Sequence, residues 1–221
     1  MSSGSFKHDL FSQFARIGKA LSNGNRLELL EFIAQAERSV DELAQVAGLS
    51  MANTSQHLRH LKQAGLVNCR KEGLKVYYRL SGNDVLLLLD ALRTSAERHL
   101  AEVKQLIQSY LTSRDDLEPV ARLDLLARVR EGLVTVLDMR PQEEFQAGHV
   151  PEAINVPLQD LESHLKDLDP RLEVVAYCRG PHCILAFDAV AQLRKKGFNA
   201  ARLEDGFPEW KLAGMPVDIS K

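Results

Sequence analysis

The 221-residue sequence predicts two domains in series: a mainly helical first half of helix, turn, helix and β-hairpin, then an α/β half with a mostly parallel sheet. Three observations point there. At roughly 150 residues per domain, the length suits one large domain or two modest ones. Apolar residues recur at helical spacing to about residue 111, whereas beyond a polar stretch at Thr112-Ser113-Arg114-Asp115-Asp116 short strand-like runs alternate with helical ones. The composition, 45% apolar and 26% charged, supports ordinary cores, and no apolar run approaches the ~20 residues of a membrane span.

Phe6, Leu10, Phe14, Ile17 and Leu21 mark a first helix, broken at Ser22-Asn23-Gly24-Asn25. Leu27, Leu30 and Ile33 mark a second. Ser39-Val40-Asp41-Glu42 reads as a capping box opening a third helix that stops at Gly48. Ser50 caps a fourth, which runs to Ala64 with Gly65 at its left-handed stop. The next stretch turns at Glu72-Gly73 before Val76, Tyr78 and Leu80, as a hairpin does. Leu88, Leu92, Val103, Leu106 and Tyr110 then predict one extended helix from Asp84 to about Leu111, too long for so small a domain to bury, so the same helix of a second subunit is expected against it. Pro119 suits the first turn of a new helix. Val134-Thr135-Val136-Leu137, Val174-Val175-Ala176-Tyr177 and Ala200-Ala201-Arg202-Leu203 read as strands, and Ile184 to Lys196 as a helix. The domain boundaries that follow are 1–112, a linker at 113–118, and 119–221.

The net charge of −2 excludes a uniformly basic nucleic-acid binder but hides an asymmetry. Residues 1–117 carry 15 Lys and Arg against 13 Asp and Glu, while residues 118–221 carry 13 against 17. Arg59, Lys62, Arg70, Lys71, Lys75 and Arg79 fall within 21 residues opposed only by Glu72, a patch suited to phosphates. The start of the chain has no basic segment followed by an apolar one, and three cysteines make no disulfide framework, so the expectation is a cytoplasmic protein.

With Leu58 and Leu61 inward, a 100° rotation per residue turns Thr54 inward and Ala52, Asn53, Gln56, Arg59 and His60 outward, with Ser55 and His57 on the flanks. Such a face can hydrogen-bond base edges and phosphates; it also fits a solvated helix surface. The basic hairpin next in sequence, with Lys71 and Lys75, favours DNA, because it can grip phosphate beside the groove.

The segment Ser50-Met51-Ala52-Asn53-Thr54-Ser55-Gln56-His57-Leu58-Arg59-His60-Leu61-Lys62-Gln63-Ala64-Gly65-Leu66-Val67 resembles the recognition segment of ArsR/SmtB-type winged-helix regulators, over roughly residues 6 to 111. The resemblance implies a homodimer, paired through its first and last helices, that binds a pseudo-palindromic operator as a repressor. It departs from the metal-sensing members. Ser39 to Gly48 contains no cysteine, and where the dimer-helix site pairs Asp-x-His with a downstream His-x-x-Glu, His99 and Glu102 fit but Leu86 and Leu88 stand opposite. Leucine cannot ligate zinc, so neither a metal nor any other cofactor is expected.

Tyr177-Cys178-Arg179-Gly180-Pro181-His182-Cys183 joins an apolar strand to a helix. Loop amides and a helix N-terminus aimed at Cys178 are expected to lower its pKa and make it the most reactive thiol, with Arg179 adding positive potential. A buried strand-end cysteine is the bland alternative. Asp138-Met139-Arg140 with Glu143-Glu144-Phe145, Gly148-His149-Val150 and Ala153-Ile154-Asn155-Val156-Pro157 resembles the first signature of rhodanese domains. Gly206-Phe207-Pro208-Glu209-Trp210 and Gly214-Met215-Pro216-Val217 resemble the closing one, and the match spans roughly 118 to 219. The expected fold class is thus a winged helix-turn-helix followed by a rhodanese-like α/β domain.

That resemblance implies sulfur transfer. The Cys178 thiolate attacks a sulfane sulfur donor, holds a persulfide, and yields it to a thiol acceptor. Asp138, Arg140 and Glu144 carry over as orienting groups, the first two with Cys178 and Arg179 as the catalytic set; a plain ion pair or cap fits them too. His149 and Trp210 are expected to be structural, with Phe207 bordering the pocket. Cys183 stands where many rhodaneses have arginine or another polar residue, which leaves thiosulfate turnover open and offers a resolving thiol. Three functions follow: a repressor whose operator binding is coupled to sulfur chemistry at Cys178; a sulfurtransferase, using thiosulfate or polysulfide, that keeps the winged helix for dimerisation or localisation; and a rhodanese-like binding module without turnover. The expected partners are double-stranded operator DNA, a second copy of the chain, a sulfane sulfur donor and a thiol acceptor, with no membrane.

Overall fold

The structure, a computed structural model, describes residues 3–115 and 117–220. Met1 and Ser2 of the chain start, Asp116 of the expected linker and Lys221 lie outside the described residues. Two compact units divide the chain, Met1–Leu89 and Asp90–Lys221.

The first unit opens with α1 (Ser3–Leu21) and α2 (Gly24–Gln35). Asn23 separates them, its side-chain oxygen accepting from the Arg26 N–H at 3.2 Å. After a two-residue strand β1 (Arg38–Ser39) comes α3 (Val40–Val46), opened by the expected capping box: Glu42 accepts from the Ser39 N–H at 2.9 Å while the Ser39 hydroxyl accepts from the Glu42 N–H at 3.3 Å. Ser50 caps α4 (Met51–Gln63) by accepting from the Asn53 N–H at 3.3 Å, and Gly65 past its end has φ +77°. The hairpin is β2 (Val67–Glu72) and β3 (Lys75–Leu80), antiparallel, in a sheet of order β1-β3-β2. Between Glu72 and Lys75, Gly73 takes φ +58°, the positive value that a two-residue turn opening on glycine requires. Leu29, Leu30, Leu43, Leu58 and Leu61 are fully buried at the centre.

The single long helix expected from Asp84 to Leu111 is not continuous. Helix α5 (Asn83–His99) ends at Leu100, whose φ −103° and ψ 114° are extended, before α6 (Ala101–Ile107) and a π-helical turn at Gln108–Thr112. Neither proline nor glycine stands at the break, so hydrophobic spacing carried no sign of it. Nor is the polar stretch after it a solvated linker throughout: Asp115 is buried, paired with Arg194 at 2.7 Å and Arg202 at 3.0 Å. Pro119 precedes not a helix but a bridge, in which the Val120 N–H donates to the Arg202 carbonyl at 2.8 Å; α7 (Arg122–Arg130) starts afterwards.

The remaining elements are β4 (Val134–Asp138), α8 (Gln142–Ala147), β5 (Ile154–Asn155), α9 (Leu161–His164), β6 (Glu173–Tyr177), α10 (Ile184–Lys195), β7 (Ala200–Arg202) and α11 (Phe207–Leu212). Their sheet is parallel, in the order β5-β4-β6-β7. Alternate residues of β6 enter two cores, as the period of two requires. Val174 and Ala176 pack with Ala189, Val190 and Leu193, whereas Val175 and Tyr177 pack with Leu125, Val129 and Trp210. Burial on both faces explains why these strands read as unbroken apolar runs. Asp138 pairs in register with Tyr177, so the chain leaves β4 and β6 side by side at the carboxyl edge of the sheet, where ligand crevices of open α/β sheets form. Among the described residues no helix is long and apolar enough to cross a membrane.

Candidate functional site

Helix α4 presents its faces as its spacing requires. Thr54, Leu58 and Leu61 are buried, and Asn53, Gln56, Arg59 and His60 are exposed. Ser55 and His57 are half-buried on the flanks. Burial, helped by the charges of Arg26 and His60, holds the His57 imidazole below its ordinary pKa, which makes it a neutral donor or acceptor rather than a phosphate-binding cation. Beside His60 lies a cleft of about 400 Å³ lined also by Arg16, Lys19, Arg26 and Gln63. The three basic residues come from α1 and the start of α2, and only folding brings them to the reading helix.

On the hairpin, Lys71 and Lys75 are exposed, as are Arg59, Lys62 and Arg79. Arg70 differs. Glu37 binds it at 2.7 Å and Glu72 joins it, so two carboxylates, not Glu72 alone, oppose the patch, and both hold the guanidinium above its ordinary pKa. Lys62 Nζ lies 3.0 Å from Cys69 Sγ, a hydrogen bond that raises the lysine pKa. His99 is exposed on α5.

In the second unit the chain leaves β6 at Cys178 and re-enters regular structure at α10, whose N-cap is Cys183. The two sulfurs lie 2.6 Å apart. Cys178 is 1% exposed, packed in the core with Ala186 and Ala189, while Cys183 is half-buried. The helix-terminus effect expected at Cys178 therefore falls on Cys183. The hydrogen bond to Cys183 and burial push the Cys178 thiol well above its ordinary pKa. The same hydrogen bond, supported by the Leu185 and Arg179 N–H groups, brings Cys183 down to about 7 against its partial burial. The Cys183 N–H is spent inside the loop, donating to the Gly180 carbonyl at 3.1 Å.

The loop stands on a buried polar frame. Asp138 and Arg140 are wholly buried and paired, with Arg140 Nη2 2.6 Å from Asp138 Oδ2 and Arg140 also donating to the Gly148 carbonyl at 2.7 Å. Tyr177, the residue before Cys178, donates its hydroxyl hydrogen to Asp138 and accepts from the Val150 N–H at 3.1 Å. Burial and the adjacent Asp138 charge keep that phenol protonated. Asp138 and Arg140 thus form a buried pair beside the strand that leads to Cys178, neither side chain reaching the surface. Arg179 is held by buried Glu144 at 2.8 Å, so its charge is fixed beside the loop. Phe207 packs over Arg140 with 4.1 Å from guanidinium carbon to ring centre, and its N–H donates to the Cys178 carbonyl at 3.1 Å. Trp210 is buried and donates to the Pro216 carbonyl at 2.7 Å; His149 stacks on Phe145. Gly206, the first residue of the closing signature, has a packing reason that the motif did not reveal: a Cβ there would fall 2.3 Å from the Gly180 backbone. His182, within the loop, lies 3.4 Å from Glu97.

Comparison with known proteins matches residues 122–213 to the rhodanese-like domain family and residues 21–70 to a helix-turn-helix domain family. The HTH-type transcriptional regulator Rv0324 of Mycobacterium tuberculosis is 45% identical over 212 residues, covering 96% of this chain and 93% of that protein. The chain belongs to the ArsR-type helix-turn-helix transcriptional regulators. In this regulator the DNA-binding helix-turn-helix is followed by a rhodanese-like domain. The transcriptional activator HlyU of Vibrio cholerae is 42% identical over 74 residues, 34% of the regulator and 68% of HlyU. A solution structure of the homodimeric winged helix-turn-helix domain of Mb0332 from Mycobacterium bovis is 41% identical, with a TM-score of 0.42, and covers 46% of this chain and 93% of that one.

Proposed function

We propose that this regulator is a homodimeric operator-binding repressor whose dithiol loop takes sulfane sulfur and thereby sets its affinity for DNA. The observation that carries the DNA half is the exposed row Asn53, Gln56, Arg59 and His60 on α4, next to a hairpin bearing Lys71 and Lys75. Amide, guanidinium and imidazole groups at that spacing match base edges in the major groove, and the lysines match flanking phosphates. Arg16, Lys19 and Arg26 add positive potential beside His60. Dimerisation is supported by the apolar side chains left exposed, Phe6, Phe11 and Phe14 on α1 and Leu87, Leu88 and Leu92 on α5, more than isolated surface residues would explain. The repressor direction is what the resemblance of the recognition segment implies, although HlyU, a relative over that region, is a transcriptional activator. The sulfur half is supported by two free thiols in contact at the carboxyl edge of a parallel sheet, on a loop anchored by Asp138, Arg140 and Glu144.

Binding to its own promoter and to random DNA, measured across a salt series, tests the DNA half. The promoter complex is expected to be tighter and both to weaken steeply with salt. Substituting Gln56 or His60 is expected to narrow the gap between the two DNAs. Equal affinity of the unmodified protein for both would refute the repressor reading.

A further inference from the structure

Resting on the reading that Cys178 takes sulfane sulfur, we propose that Glu97 and Arg93 of α5 read the state of the loop through His182 and carry it to the apolar face of α5 offered to a second copy. Helix α5 begins in the first unit, at Asn83, and ends in the second, at His99. Within the second unit its last turns are tied to the loop region at two points. Glu97 lies 3.4 Å from the His182 ring, and Arg93 pairs with Glu209 at 2.9 Å. Glu209 in turn accepts from the Gly206 N–H at 3.2 Å, and Gly206 packs against the Gly180 backbone of the loop. Arg93 also binds Asp90 and lies 3.7 Å from Glu97, so Asp90, Arg93 and Glu97 form one ionic row at helical spacing. One half-exposed ion pair couples weakly, whereas a row held at two points moves as a unit. Leu92 precedes Arg93, so the exposed row Leu88 and Leu92 lies 100° round the same helix. Any shift of the ionic row displaces the apolar one.

The loop has a fixed part and a part that can give. The Cys178 carbonyl accepts from the Phe207 N–H, Arg179 is held by Glu144, and the Gly180 carbonyl accepts from the Cys183 N–H. Pro181 and His182 lie between these anchors. His182 is exposed and borders a cleft of about 300 Å³ lined also by Arg93, Glu97, Pro181, Phe187 and Arg202, so this stretch has space beside it. Cys178 has none: it is 1% exposed, with the Cys183 sulfur 2.6 Å from its own. With an inorganic polysulfide as donor, the Cys178 sulfur forms a new S–S bond and an S–S bond of the donor breaks. The shortened polysulfide leaves with the electron pair and the thiol proton, so no further oxidant is needed. The added sulfur enters a filled space, and the loop yields where it is free, at Pro181 and His182, which alters the contact with Glu97.

The test uses the full-length protein with sodium tetrasulfide. Sulfur on Cys178 is quantified by mass, and promoter affinity is measured at one fixed salt before and after treatment, in wild type, Glu97→Gln, His182→Ala and the double variant. The expected result is sulfur on Cys178 in all four, with an affinity change of at least about fivefold in wild type that shrinks to within about twofold in each single variant. The double variant is expected to lose no more than either single one, as two members of one link require. Hydrogen–deuterium exchange over residues 90–99 of the wild type is expected to change on sulfur loading, and it decides the matter alone if a variant takes up no sulfur. A full response in both single variants, or unchanged exchange over 90–99, overturns the link and leaves the coupled-regulator reading standing. Sulfur on Cys178 with unchanged promoter affinity in wild type overturns both.

Discussion

Arg70 and Lys71 are neighbours on β2 with different electrostatic fates. Successive strand residues point to opposite faces; both are exposed, but Arg70 turns to Glu37 and Glu72, with which it is paired. Lys71→Ala is therefore expected to weaken binding to all DNA sequences alike and to flatten the salt slope by up to ~1 per phosphate contact, and Arg70→Ala to change the slope by less than half as much. Salt titrations of both variants check this, and equal slopes would contradict it. At the dithiol, the thiolate is the reactive form, so a thiol lowered to about 7 fixes a pH profile. Alkylation of Cys183 should rise about tenfold per pH unit in the acidic range and level off above about pH 7, with Cys178 labelled far more slowly. A Cys183 rate still climbing steeply at pH 9 would contradict the assignment. Sequence spacing revealed both cysteines but not which one meets the helix. That depends on how many residues the loop spends before the first helical turn, and here it spends all of them up to the N-cap.

At the scale of elements, the strongly periodic segments were legible: α1 to α4, the hairpin, β4, β6, β7 and α10 stand where apolar spacing, caps and glycine stops put them. The failures share a cause. Two-residue strands such as β1 and β5 carry no period, the bridge at Val120 is made by a distant carbonyl, and Asp115 is drawn into the protein by arginines 79 and 87 residues further along the chain. Gly206 belongs to the same class, because its need is set by the Gly180 backbone against which it packs. Gly206→Ala must displace that backbone, and overpacking of this kind costs about 1–3 kcal/mol. The expected outcome is a lower denaturant midpoint together with slower uptake of sulfur by the loop from polysulfide. A variant with unchanged stability and unchanged uptake would show that the Gly206 packing does not set the loop.

For the molecule as a whole, the claim that matters is that chemistry at the second unit alters DNA binding by the first. Family membership gives the regulator and the two domains; it does not give the coupling. On the proposed reading, sulfur at the loop favours one DNA-binding state of the dimer, and allosteric couplings are typically ~1–3 kcal/mol, or roughly 5- to 150-fold in affinity. The direct measurement is operator affinity at one fixed salt before and after tetrasulfide treatment, in wild type, Cys178→Ala, Cys183→Ala and Cys69→Ser, with modification confirmed by mass. The account predicts a change of that size in wild type and in Cys69→Ser, and none in Cys178→Ala. Unchanged operator affinity in a wild-type protein whose loop has been fully converted would contradict it.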